Sequence, residues 1–269
     1  MRFSFVFAAS LALAACGVEA PGDDSGPAET DDVELGQTEQ GLSWVLATPH
    51  SCTGSACYFD LGPTSDRTCF LTGLWGSMSG GSASVLTYAD ARYKLRIGAP
   101  VGRTITAFAT CIAATSHRIE GFWTGGHAAT PINGTVTSTR RCFLSEIDNN
   151  VTTRGFDTTG DYAQVWKDAS GQWYVGGNLS GGSNARAAAT CVDVPNDNGL
   201  WGIRANPGGD VGFDLAENVG GVACGFTKIG GNFTTNSGSD GLGINYNAGT
   251  RFWNLRAVNG KQAGAICVR

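Results

Sequence analysis

The stretch "AAATCV", residues 187–192, decides how this chain is read. Taken alone it puts Cys191 at the end of a run of small and β-branched residues, where a nucleophile, a metal ligand and a structural tie are all open readings. It recurs, however, as "AFATCI" at 107–112 and "AGAICV" at 263–268. Each copy follows a second cysteine segment: "RTCFLTGL" at 67–74, "RRCFLSEI" at 140–147 and "VACGFTKI" at 222–229. Between the two cysteines lies an aromatic segment: "ARYKLRIG" at 91–98, "GQWYVGGN" at 171–178 and "RFWNLRAV" at 251–258. Upstream stand Trp44, Trp123 and Trp201, spaced 79 and 78 residues apart. Residues 41–269 therefore hold three copies of one unit of roughly 75 residues, with bounds near 43–118, 119–197 and 198–269.

The local patterns are those of strands. In "ITAFATCI" Ile105, Ala107, Ala109 and Cys111 share one face and Thr106, Phe108 and Thr110 the other. "YKLRIG" alternates Tyr93, Leu95 and Ile97 with Lys94 and Arg96, as a half-buried antiparallel strand does. The 40 glycines suit turns and are costly inside helices. The expected fold is all-β. Even spacing, with no polar linker inside 43–269, predicts one closed pseudo-threefold body, β-trefoil-like or β-prism-like, rather than three beads.

Leaving Cys16 aside, eight cysteines remain, an even number that reads as a disulfide framework in an exported chain. One symmetric scheme pairs within each unit: Cys69–Cys111, Cys142–Cys191 and Cys224–Cys267, with Cys52–Cys57 closing a small loop. The other ties neighbours: Cys111–Cys142, Cys191–Cys224 and Cys267–Cys69. Bridged Cα atoms lie about 4.4–6.8 Å apart. The outer strands of a four-stranded meander are roughly 14 Å apart. The first scheme thus requires the first and last strands of a unit to be neighbours, which excludes a propeller blade. Zinc sites favour close pairs of ligands, and only Cys52 and Cys57 are close, so no metal site is expected.

The N-terminus reads differently. Arg2 precedes an apolar run from Phe3 to Ala15, shorter than the roughly 20 residues that span a bilayer. Residues 1–15 are expected to be a signal peptide. The run ends in "LAAC", Leu13 to Cys16, which resembles the lipobox of bacterial lipoproteins. That resemblance implies cleavage before Cys16, lipidation of Cys16 and attachment to a membrane, with Gly17 compatible with the outer membrane. The alternative is a cut near Ala20 and a free secreted protein. Residues 17–40 hold eight acids and no base, and with Cys16 they are expected to form a disordered acidic tether. The chain carries −5 overall, but residues 41–269 carry 17 Lys+Arg against 15 Asp+Glu. No basic cluster suggests a nucleic-acid partner.

No reaction centre is evident. The histidines are His50, His117 and His127, and no G-x-S-x-G or H-E-x-x-H motif accompanies them. "DVPNDNG", 193–199, lacks the spacing of a calcium loop and reads as a turn. Acids such as Asp60, Asp90, Glu120, Glu146 and Asp148 leave open a hydrolase with a carboxylate pair. Aromatics kept in every unit (Tyr93, Trp173 and Trp253; Trp44, Trp123 and Trp201) read most simply as core, or else as a threefold set of contacts. Trp75 and Trp166 have no counterpart in the other units and, with His127 on a Gly-rich loop, are the ligand-binding candidates.

The unit as a whole resembles cysteine-bracketed repeats of exported bacterial proteins, which brings no catalytic residue with it. Unit three departs from the pattern at Gly225, in place of Phe, and Ile266, in place of Thr. The expectation is a lipid-anchored, non-catalytic envelope module without a cofactor, binding a glycan, polymer or protein. The alternatives are a structural envelope protein without a ligand and a hydrolase. Oligomeric state is left open.

Overall fold

The computed structural model describes residues 43–46, 48–54, 56–149, 155–179, 185–194, 204–206, 211–217, 221–235 and 240–269. Residues 1–15, Cys16, the 17–40 segment and Trp201 lie outside them. Every element among the described residues is a strand.

The first unit contributes β1 (Trp44–Leu46), β2 (His50–Cys52), β3 (Cys57–Pro63), β4 (Thr68–Gly76), β5 (Ser82–Thr87), β6 (Arg92–Gly98) and β7 (Ile105–Ile112). The second contributes β8 (Ile119–Thr124), β9 (Thr130–Pro131), β10 (Arg140–Asp148), β11 (Tyr162–Lys167), β12 (Trp173–Asn178) and β13 (Arg186–Asp193). The third contributes β14 (Arg204–Asn206), β15 (Val211–Glu217), β16 (Ala223–Gly230), β17 (Gly241–Asn247), β18 (Phe252–Ala257) and β19 (Gln262–Val268).

These strands make three antiparallel sheets, and each sheet is shared between two units. The first runs β1-β7-β4-β17-β18-β15, with β2 also on β7; the second β3-β6-β5-β10-β13-β8; the third β14-β19-β16-β11-β12-β9. In every case the two cysteine strands of one unit pair with each other, and the hairpin of the preceding unit docks on the first of them. The first sheet takes its hairpin from the third unit, so the exchange runs around all three. Separate beads are thereby ruled out. The sheets themselves are open: among the described residues the second and third each end in two edge strands, and the first ends in β15 on one side and in β1 and β2, both on β7, on the other.

The disulfides follow the within-unit scheme. Cys69 faces Cys111, Cys142 faces Cys191 and Cys224 faces Cys267 directly across their ladders. Their Cα separations are 4.0, 4.0 and 3.9 Å, shorter than the usual range of about 4.4–6.8 Å, with the partners sitting directly opposite each other on adjacent strands. Cys52–Cys57 closes the small loop. Four disulfides point to an oxidising, extracytoplasmic compartment. No helix among the described residues is long and apolar enough to cross a membrane.

Each first cysteine strand carries a β-bulge at the same place, after Leu71, Leu144 and Phe226. The extra residue is Thr72, Ser145 or Thr227, all buried hydroxyls. A bulge shifts the side-chain alternation by one residue. Leu71 and Leu74, like Leu144 and Ile147, therefore both reach the main core despite their spacing. That core runs through all three units and includes Tyr93, Trp173 and Trp253. A second, smaller cluster gathers Phe70, Phe143, Ala223, Ile112, Val192 and Val268, where the three first cysteine strands pack together.

Candidate functional site

In β11 Ala163 and Val165 enter the core, so Tyr162, Gln164 and Trp166 share the opposite face, each half-buried. Trp166 sits directly across the ladder from Tyr174 of β12, and the two rings stack with centroids 5.7 Å apart and planes 19° apart. The indole also covers Gly176. A Cβ there would fall 3.1 Å from Trp166 and 2.7 Å from Ala129, so only glycine lets the indole and the His127 loop meet on β12. The Tyr162 ring lies under the Lys228 ammonium of β16, 4.5 Å from its centroid. Burial holds Lys228 below its ordinary pKa. Asp168 borders the face and has its pKa lowered, first by a hydrogen bond from the Ser170 hydroxyl and also by backbone N–H groups and the Tyr174 hydroxyl.

The result is a shelf of three aromatic rings, one amide and one cation on an open sheet face. Such a surface offers flat apolar area for stacking and polar atoms for orientation.

The other two sheets present different chemistry at equivalent positions. Lys228 corresponds to Glu146 in the second sheet and to Gly73 in the first, each four residues after its cysteine. Glu146 is 1% exposed; its Oε1 accepts from Nε and a terminal nitrogen of Arg186, both at 2.6 Å, while Arg186 also lies over Phe122. Oε2 of Glu146 and Oγ of the facing Ser84 are buried without partners. Burial pushes the Glu146 carboxyl up, Arg186 pulls against it, and Asp148 on the same face adds to the rise. In the first sheet Gly73 is covered by the Phe108 ring, and Trp75 lies half-buried with the Arg256 guanidinium 5.8 Å from its ring.

The three sequence candidates are thus not one site. Trp166 and the His127 loop come together at Gly176, whereas Trp75 stands on another sheet. The His127 side chain is exposed; its carbonyl accepts the indole N–H of Trp123 at 3.0 Å. Tyr93, Trp173 and Trp253 are 1%, 5% and 0% exposed, which removes them as a threefold set of contacts. Sequence reasoning passed over Tyr162, Gln164, Tyr174 and Lys228. The alternation in "YAQVWK" and the pairing of that strand with "WYVGGN" carried the signal for the first three. Among the described residues no group of three His, Cys, Asp or Glu is placed to hold a metal. Cys16 lies outside the described residues.

No family model matches this sequence, and no curated protein matches it either.

Proposed function

We propose that the protein is a non-catalytic binding module of the bacterial cell envelope, held to a membrane through lipidated Cys16 and taking a glycan or similar polymer on the β11–β12 face. The observation that carries this reading is the stacked Trp166–Tyr174 pair, with Tyr162 and Lys228 beside it. Large aromatics left half-exposed together on a rigid sheet fit a ligand that stacks. The "LAAC" end of the apolar run and the acid-rich 17–40 segment support an anchor and a tether, with the outer membrane favoured by Gly17. The cyclic sharing of hairpins supports a closed pseudo-threefold body of β-prism-like or β-trefoil-like design.

A glycan array probed with the Cys16→Ser chain tests the binding claim, and membrane fractionation of the same variant tests the anchor. Binding to no glycan would favour a purely structural envelope role. Membrane retention of Cys16→Ser would refute lipid anchoring.

One observation favours a second reading, a hydrolase. Glu146 keeps its proton to higher pH than usual, and Asp148 lies two residues along the same face of β10, roughly 7 Å away at strand rise. Hydrolysis of a bound glycan that disappears in Glu146→Gln would establish it over the binding reading.

A further inference from the structure

The most deeply buried ion pair among the described residues is not part of the aromatic shelf. Lys261 Nζ lies 2.6 Å from Asp240 Oδ1, with the two side chains 2% and 1% exposed. Asp240 stands just before β17 and Lys261 just before β19, so the contact joins two different sheets. The corresponding residues of the other units are Gly81 with Ile105, and Asp161 with Ala185, so neither junction can form this pair. Around it the surroundings are apolar on one side: the Phe233 ring, fully buried, lies 5.1 Å from Nζ. On the other side the Thr235 hydroxyl donates to Asp240 Oδ2, and the Asn259 carbonyl accepts from Nζ at 3.3 Å.

A fully buried ion pair is a poor stabiliser, because desolvating both charges cancels much of their attraction. This pair has a chemical alternative. We propose that Lys261 and Asp240 condense into an intramolecular amide that ties the third sheet to the first. Proton transfer from the ammonium to the carboxylate yields an amine and a carboxylic acid. Nζ attacks Cγ, and the C–N bond forms. The Cγ–Oδ2 bond breaks, and Oδ2 leaves as water with two of the three ammonium protons. The Thr235 hydroxyl, at the exposed side of the pair, is placed to hand a proton to that departing oxygen. No oxidant, cofactor or second substrate is needed, and two buried charges are replaced by one neutral amide.

Condensation of free amines and acids is unfavourable in water. Fixed alignment of the reactants raises their effective concentration to about 10⁵–10⁸ M in well-oriented systems, and exclusion of water opposes the reverse reaction. The carboxyl carbon lies one C–O bond beyond an oxygen already in contact with Nζ.

Mass spectrometry of the full mature chain, after reduction of its disulfides, decides the matter. The expected mass is that of the sequence less one water, and a digest should contain a branched peptide joining Lys261 to Asp240. Lys261→Arg, which keeps a cation opposite Asp240, should show the full mass. Thr235→Val should accumulate the cross-link more slowly. A folded wild-type chain that keeps the full mass after prolonged incubation overturns the proposal. So does a water loss that persists in Lys261→Arg or maps to a ring closure at Asp240–Gly241.

Discussion

The rings of Phe70 and Phe143 stack with centroids 4.1 Å apart and planes 16° apart, at the point where the three first cysteine strands pack together. They are the same residue of units one and two. The third unit has Gly225 there, and a Cβ at that glycine would fall 2.5 Å from Phe143 and 2.6 Å from Phe70. The departure of unit three from the repeat is therefore a packing requirement: the junction has room for two rings and none for a third side chain.

Gly225→Ala should accordingly destabilise the fold by about 1–3 kcal/mol, as overpacking of a dense core does. Gly225→Phe should cost more. The exchange variant Phe70→Gly with Gly225→Phe moves the gap by one unit and should be more stable than Gly225→Phe alone. Urea unfolding of the three variants measures this, and an exchange variant no better than the single change would count against the shared-junction account.

The other departure, Ile266, has a separate consequence. Thr72 and Thr110 hydrogen-bond across their ladder at 3.2 Å. Thr227 is the counterpart of Thr72, but Ile266 replaces the partner, and its buried hydroxyl is unpaired. An orphaned buried hydroxyl costs about 1–3 kcal/mol, whereas a typical made hydrogen bond contributes about 1 kcal/mol. Thr227→Val should therefore raise the unfolding midpoint while Thr72→Val lowers it. Shifts of the same sign in thermal melts would refute the assignment.

Two carboxyls predict opposite pH responses. For Asp193, burial works against ionisation but is outweighed by hydrogen bonds from Arg140 and Thr137 and by the charges of Arg140 and His117, so its pKa is lowered from 3.8. Its stabilising contribution is present above that value and is lost as pH falls through the lower folded pKa. Glu146 is raised from 4.5, chiefly by burial. Its contribution is fully present below 4.5 and is lost as pH rises through the higher folded pKa. Asp193→Asn should remove the acid-side loss, and Glu146→Gln should remove the loss on the neutral side. Chemical unfolding across acid to neutral pH reads both.

Much of the architecture was legible in the sequence because it rests on local repetition. The cysteine positions left two symmetric schemes open, and the within-unit one that the structure adopts makes the two cysteine strands of each unit neighbours, since a disulfide reaches only across one strand spacing. What repetition cannot reveal is which copy a hairpin packs against. The β5–β6 hairpin of unit one docks through β5 on β10 of unit two, and a self-similar sequence offers every unit the same partner. The bulges at Thr72, Ser145 and Thr227 were hidden for a related reason: they break the period-two pattern at the point where it would have been counted. At the candidate site Trp166 stood out as unmatched between units. Lys228 did not, because it comes from the next unit and meets Tyr162 only after the hairpin has crossed over.

The most direct test of the central claim is the affinity of the Cys16→Ser chain for a glycan found on the array, measured alongside Trp166→Ala and Trp75→Ala. Loss of a central aromatic anchor typically costs at least about 2 kcal/mol, roughly 30-fold in affinity. The account predicts that loss for Trp166→Ala, with Trp75→Ala close to the parent because its ring lies on another sheet. Unchanged binding in Trp166→Ala, or an equal loss in Trp75→Ala, would contradict it.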